Sequence, residues 1–395
     1  MVKTASLFSQ VLQLFPRLEF EHAVQEHQAE RYAKGLSCWQ QFVAMLFCQL
    51  AQAHSLREIC GGLDCCLGRL IHLGMREAPK RSSLAYANGH RPWQLYREVF
   101  YQLLDKCRVV SPRSGHALRF RNPLLSLDST VVELCLSLFP WADFTRTKGA
   151  VKLHCLLDHQ GYLPTFALVT VANVSDVAVA RLLTFARGSI VVFDRAYKDY
   201  AMWARWTAEG VFFVSRLVRG TVYQVVERRP LPQRRNILAD EIVRLSSEHA
   251  QKQGCTCLLR RVVVWLPDKQ QELVLVTNHL DFGATTIAGI YKERWQIELF
   301  FKALKQNLRI KSFVGTTRNA LQVRIWTALI ALLLLKYLKL RARFGCSLSN
   351  LVALLHWNLF TYRDLWEWLD DPFHTPPLEP SPAQLNLFAL GQHPA

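Results

Sequence analysis

Two aspartates stand where an apolar strand leaves little room for charge. The run "LLSLDSTVVEL" (124–134) carries Asp128 at its middle, and "SIVVFDRAY" (189–197) passes from apolar residues straight onto Asp194. Short β-branched and leucine-rich runs bounded by turn residues predict strands, the second a central one buried on both faces. A carboxylate there is costly unless it is ion-paired, hydrogen-bonded or on a metal. Taken singly, each fits a salt-bridged or capping aspartate as well as a ligand. Together with "VKLHCLLD" (151–158), "LPTFALVTVA" (163–172), a helical "DVAVARLLTFA", a tryptophan-rich helix near 198–208 and a strand "VFFVSRL", they predict an α/β sheet with helices on its faces.

The flanking regions differ. Residues 1–115 read as helical: "CWQQFVAMLFCQLAQAHSLREICGGL" has helical spacing that stops at Gly61 and Gly62. "RSSLAYANGHRPWQLYREVFYQLLDK" follows Pro79, with Ser82 or Ser83 as its N-cap. Helix, turn and an Arg-flanked helix is the profile of a helix-turn-helix DNA reader, and equally of a small bundle with exposed cations. Between 218 and 280 the chain turns β-rich ("TVYQVVERR", "CTCLLRRVVVWLP", "QELVLVTN") around a basic loop "RRPLPQRR" (228–235), as an insertion between sheet and helix would. An apolar helix (324–340) and a Pro-rich tail, too rich in proline to fold alone, close the chain.

Half of the 395 residues are hydrophobic, which excludes a disordered chain, and the length allows two or three domains. The net charge of +17 argues for a polyanionic partner, nucleic acid first and an anionic membrane surface second. The first residues hold no apolar run of signal-peptide length. The greasiest window, 325–335, is bounded by Arg324 and Lys336 and is too short for the ~20 residues of a bilayer span. A soluble, intracellular protein is expected. The eleven cysteines lack the paired spacing of a zinc site and are expected as reduced, mostly buried thiols.

The stretch "YKERWQIELFFKALKQN" (291–307) adds chemistry. On a continuous helix, Tyr291, Arg294, Glu298 and Lys305 fall within a stripe about 60° wide, whose neighbour, roughly 70° away, is the apolar stripe of Ile287, Ile290, Ile297, Phe301, Leu304 and Leu308. Its charges overhang whatever the helix packs on. Asp128, Asp194 and Glu298, from three elements, suit hard divalent cations. A Mg²⁺ pair about 4 Å apart would serve the attacking and leaving oxygens of a phosphodiester. With the basic charge, phosphoryl transfer on nucleic acid is the leading reading.

At this point the residues resemble a known family. "YKERWQIELFFKALK" matches Y-x₂-R-x₃-E-x₆-K, the signature of the DDE transposases of the bacterial insertion sequence 4 family, and "LDST" and "FDRAY" look like the segments carrying that family's two aspartates. The likeness extends from about residue 5 to 340, through "KGAVKLHCLLD", "RWQIELFFKALKQNLRIKSFVGTTRNA" and "CWQQFVAMLFCQL". It implies an α/β fold with a ribonuclease-H-like core interrupted by a β-rich insertion and preceded by a helical N-terminal domain. The divisions are 1–115 (DNA-binding helices), 116–217 (core, first part), 218–280 (insertion), 281–345 (catalytic helix and rest of the core) and 346–395 (helix and tail). The 66- and 104-residue gaps between Asp128, Asp194 and Glu298 agree with an insertion in the second.

The resemblance makes those three the catalytic, metal-binding set, with two Mg²⁺ ions that Mn²⁺ can replace. Tyr291, Arg294 and Lys305 would hold the transposon end. It implies nicking of each end to free a 3′-OH, then attack of that hydroxyl on target DNA. The partners are terminal inverted repeats and target duplex, the working form a homodimer, and the location the bacterial cytoplasm at the nucleoid. Lys148, Lys152 and His154 are candidate phosphate contacts, with packing or solvation equally open. Trp265 is a candidate platform for a flipped base, though a core or edge tryptophan is simpler. Arg228, Arg229, Arg234 and Arg235 form a candidate DNA-facing loop; Ser129 and Thr130 support the Asp128 strand. The rival readings are a decayed, DNA-binding derivative and a metal-dependent nuclease without strand transfer.

Overall fold

The computed structural model describes residues 5–378 except 32, 34, 67, 112–117, 119, 136, 146–147, 234–235 and 309–314. Contacts group the chain into two compact units: 1–110 together with 302–395, and 111–301.

The first unit is helical. It opens with α1 (Leu7–Leu12), α2 (Arg17–Glu26), α3 (Cys38–Leu50), α4 (Leu56–Asp64), α5 (Arg81–His90) and α6 (Gln94–Val110). Ser37 and Gln40 form a reciprocal capping box at the start of α3. The long helix expected from Cys38 to Gly62 is in fact two. Ser55 accepts the Glu58 N–H and Glu58 accepts the His54 N–H, so the chain is recapped at 55 and α3 ends before it. Gly61 and Gly62 lie inside α4, where a Cβ on Gly62 would stand 3.1 Å from the Phe47 ring. Close packing, not termination, explains that glycine. Further on, α5 starts at Arg81, ahead of Ser82 and Ser83, and Pro92 separates it from α6.

The second unit is built on one ten-stranded sheet. Its strands are β1 (Leu124–Leu134), β2 (Asp143–Thr145), β3 (Lys148–Asp158), β4 (Leu163–Val171), β5 (Ile190–Phe193), β6 (Phe212–Arg216), β7 (Tyr223–Arg228), β8 (Ile237–Leu245), β9 (Leu258–Leu266) and β10 (Gln271–Thr277). The order is β2-β3-β1-β5-β6-β10-β9-β8-β7, with β4 also on β3. β1, β5 and β6 are parallel, while β3 and β4 run antiparallel on one side and β10 to β7 on the other. The 218–280 region therefore continues the sheet, bonded to it through β10 on β6. It contains a strand, β8, that the sequence reading passed over because Asp240, Glu241 and Arg244 break its apolar pattern.

Helices α7 (Asp176–Ala180), α8 (Tyr200–Ala208), α9 (Glu248–Lys252), α10 (Ala284–Glu293) and α11 (Trp295–Asn307) complete the middle of the chain. α7 is far shorter than the expected 176–186. Arg205 takes the carbonyls of Arg181 and Leu183, at 2.9 and 3.2 Å, and the chain beyond Ala180 leaves the helix. Alternation along β5 sorts the two faces. Val191 and Phe193 pack with Trp203 and Trp206 of α8. Ile190 and Val192 pack with Ile287, Ile290 and Tyr291 of α10.

α12 (Arg318–Arg341), α13 (Leu348–Asn358) and α14 (Leu365–Asp370) belong with the first unit. α12 begins six residues before the expected helix of 324–340 and ends one after it, and it is long and apolar enough to cross a membrane, yet 83% of its apolar window is buried within the protein. Burial of nearly all its apolar residues, Trp326 and Tyr337 included, makes it a core helix. Cys65 and Cys135 are exposed and only five cysteines are fully buried, fewer than expected. The tail beyond 378 lies outside the described residues.

Candidate active site

The parallel pairing of β1 with β5 sets the site. Leu127 pairs with Phe193, so the residues that follow, Asp128 within β1 and Asp194 just past the end of β5, are neighbours. Asp194 leaves the carboxyl end of β5, where ligands of open α/β sheets gather. Its Oδ1 accepts the Arg195 N–H at 2.7 Å, capping a short 3₁₀ turn. Asp128 Oδ1 likewise accepts the Ser129 N–H at 2.8 Å.

Glu298 comes from α11, and Arg294 joins it to the strand. One guanidinium nitrogen is 2.5 Å from Glu298 Oε1 and another 3.5 Å from Asp128 Oδ2. Burial pushes Asp128 up to about 6; the Ser129 N–H and Arg294 pull it down, and the charges of Glu298 and Asp194 push it up again. The charges of Glu298 and Asp194 thus both reach Asp128. Burial works against the charge of Arg294, but Tyr291, Glu298 and Asp128 outweigh it and raise its pKa. Arg294 Nε is buried without a hydrogen-bond partner. Tyr291 is 8% exposed and its phenol is pushed up to about 12, by burial first and by Asp194.

The helical stripe drawn from the sequence crosses a tightened turn. Arg294 keeps helical dihedrals (φ −52°, ψ −30°), its N–H bonds back to Tyr291 O at 3.2 Å, and the Ile297 N–H bonds to Arg294 O. Tyr291 lies on α10 and Glu298 on α11, with Arg294 as the one residue between the two helices. Arg294 keeps contact with each, lying 5.7 Å from the Tyr291 ring centroid. Lys305 is exposed on α11, past the division into units.

Other candidates lie apart from the carboxylates. Lys152 and His154 of β3 pair with Val131 and Ser129, residues that alternate with Asp128 and face the other side of the sheet. There Asp176 gathers them: Lys152 Nζ at 3.2 Å, His154 Nδ1 at 3.4 Å and the Ser129 hydroxyl, which donates at 2.7 Å. His154 is fully buried, and burial drops it to about 4. Lys148 begins β3. Trp265 is half-buried on β9, three strands from β5, roughly 14 Å at ~4.8 Å per strand. Arg228 is exposed beside Glu241, whereas Arg229 is tied to Glu227 and to the Leu280 carbonyl. Arg234 and Arg235 lie outside the described residues. The sequence reading missed Arg216, at the end of β6, whose charge acts on Tyr291. It missed Asp176 too, hidden in a helical run.

An all-oxygen donor set from β1, β5 and α11 fits a hard divalent cation, and a cationic guanidinium already bridges two of its members. Among the described residues no three His, Cys, Asp or Glu side chains converge into a finished metal cage.

Comparison with known proteins agrees with this chemistry. Residues 119–334, more than half of the chain, match the family model "Transposase DDE domain", and residues 3–76 match "Domain of unknown function (DUF4372)". The chain is 31% identical over 308 residues to the putative transposase y4zB of Sinorhizobium fredii, covering 77% of this chain and 83% of that protein. It is 29% identical over 247 residues to the probable transposase for insertion sequence element IS5377 of Geobacillus stearothermophilus, covering 62% of this chain and 64% of that one. The match of more than half the chain and the long alignment to y4zB lead to one assignment: this chain belongs to the DDE transposase family.

Proposed function

We propose that this transposase excises and inserts an insertion sequence by two-metal phosphoryl transfer, with Asp128, Asp194 and Glu298 as the metal ligands. The observation that carries the reading is the β1–β5 register, which makes the two aspartates neighbours while the Glu298 charge acts on Asp128. The order β4-β3-β1-β5-β6, antiparallel then parallel, supports a ribonuclease-H-like core, and β7 to β10 would be its insertion. When bound, Mg²⁺ would activate the attacking oxygen and neutralise charge on the leaving one.

The chain's own part is positioning. Asp128 and Asp194 are held by backbone N–H groups and the sheet, so their carboxylates are fixed before DNA arrives. Arg294, held between Asp128 and Glu298, would swing its guanidinium to a phosphate beside the scissile bond once metal takes over the two carboxylates. Exposed Lys305 would take a phosphate further along, and Tyr291 would brace Arg294. Double-stranded DNA is the partner, as the +17 charge supports, with a homodimer holding two ends in the bacterial cytoplasm.

The test is cleavage and strand transfer on a labelled duplex carrying the element's own end, with Mg²⁺, for wild type and Glu298→Ala. Metal-dependent nicks and joined products, lost in a variant that still binds DNA, are the expected outcome. Binding without cleavage by wild type would sink the proposal in favour of a DNA-binding derivative, and cleavage without joining in favour of a nuclease.

A further inference from the structure

Ser126 lies two residues before Asp128 and faces the same side of the sheet, with its hydroxyl 2.7 Å from His159 Nε2. The other ring nitrogen, Nδ1, is 3.4 Å from Glu293 Oε2. Serine, histidine and glutamate in that sequence resemble a nucleophile, its base and an orienting acid. Both Ser126 and His159 are completely buried, so no substrate reaches the hydroxyl, and hydrolase chemistry is excluded. Two fully buried polar side chains nonetheless need a reason to be there.

Their position supplies one. Glu293 is the last residue of α10, and the single residue Arg294, with helical dihedrals (φ −52°, ψ −30°), joins it to α11. A contact that fixes the end of α10 therefore also fixes where α11 begins. We propose that Ser126, His159 and Glu293 form a positioning relay that indexes the junction at Arg294, and with it Glu298, against the strand carrying Asp128. This rests on the reading of Asp128 and Glu298 as one catalytic centre.

Three further observations belong to the same device. The turn after β3 presents His159, and its N–H bonds the Leu124 carbonyl at 3.0 Å, so the ring is fixed to β1 at both backbone and side chain. Tyr162 in that turn holds a left-handed φ of +53°, an unfavourable conformation for a side chain of its size. Thus placed, its ring stands edge-on to His159 at 5.4 Å and its hydroxyl reaches Glu293 Oε2 at 3.5 Å. Glu293 Oε2 is therefore approached by two side chains, His159 and Tyr162. A relay of this kind touches no substrate. It acts through the place at which α11 begins.

The experiment compares wild type, Ser126→Ala and Glu293→Gln, with Glu272→Gln, exposed on β10, as control. Amide hydrogen exchange is read over 294–301 and over β5 and β6, beside nicking of the end duplex. The relay requires exchange over 294–301 to speed up about 10-fold or more in both relay variants, with β5 and β6 unchanged. It also requires kcat to fall roughly 10- to 100-fold while KM for DNA stays within about twofold, since small misplacements act on the chemical step. Exchange over 294–301 within about twofold of wild type would overturn the relay, as would loosening spread evenly over β5 and β6, which marks a packing role. If wild type itself fails to nick, the transposase reading fails, and the exchange pattern still decides whether the junction is indexed by these residues.

Discussion

Two arginine–carboxylate sites in the same sheet are built in opposite ways. On β8 and β9, Arg260 grips Asp240 through two bonds of 2.7 Å, and its remaining nitrogen reaches the carbonyls of Leu280 and Phe282. Both side chains are almost completely buried. At Asp128 of β1, Arg294, reaching in from the end of α10, is shared between two carboxylates, lies 3.5 Å from the inner one, and leaves Nε without a partner. Asp128, largely buried, is left in the field of two other acids. The first site gives every guanidinium nitrogen a partner and joins two strands. The second keeps carboxylates in surplus and one donor without a partner, as the proposed cation and phosphate site requires. An incompletely satisfied network is unfavourable for folding and useful for binding.

The contrast can be broken most sharply by neutralising one acid at each site. Asp128→Asn should lower nicking by about 10³-fold or more, roughly 4 kcal/mol on the barrier, while its melting temperature holds or rises because a repulsive charge is gone. Asp240→Ala should do the reverse. It strands a buried guanidinium and removes about 3–5 kcal/mol of stability, read by denaturant titration, with nicking per folded molecule unchanged. Equal destabilisation by both would erase the distinction.

A milder change sharpens it. Arg294→Lys keeps one charge but not the planar fork that spans Asp128 and Glu298, so nicking should fall about 10- to 100-fold. The same exchange at Arg260 should instead appear in stability. Smallest is the effect of His154, held at about 4 by burial against 6.5 when unfolded. Between those values the unfolded chain binds the extra proton, so stability is full above pH 6.5 and declines toward pH 4. His154→Gln should flatten that decline in melting temperature against pH, and an unchanged slope would assign it to other groups.

Much of this was legible in the chain. The β1 strand begins and ends where its apolar run does, because a half-buried strand must alternate. The two aspartates stood out because charge in such runs is rare. The misses share a cause: they depend on partners distant in sequence. The end of α7 is set by Arg205, the tightened turn at Arg294 interrupts a faultless helical pattern, and β8 carries Asp240 because Arg260 waits on the next strand. Ser126 and His159 gave no local signal; only the fold brings them within 2.7 Å.

The discontinuous first unit has a consequence in time. α3, α5 and α6 bury their apolar faces on α12, which leaves the ribosome more than 200 residues after α6 does. During synthesis at about 5–20 residues per second, those faces stay uncovered for some 10 to 40 s, within reach of chaperones or of other nascent chains. A product ending before Arg318 would never cover them. The helical unit can thus report that the carboxylate-bearing middle of the chain has been made, since it cannot close until after that middle has been translated.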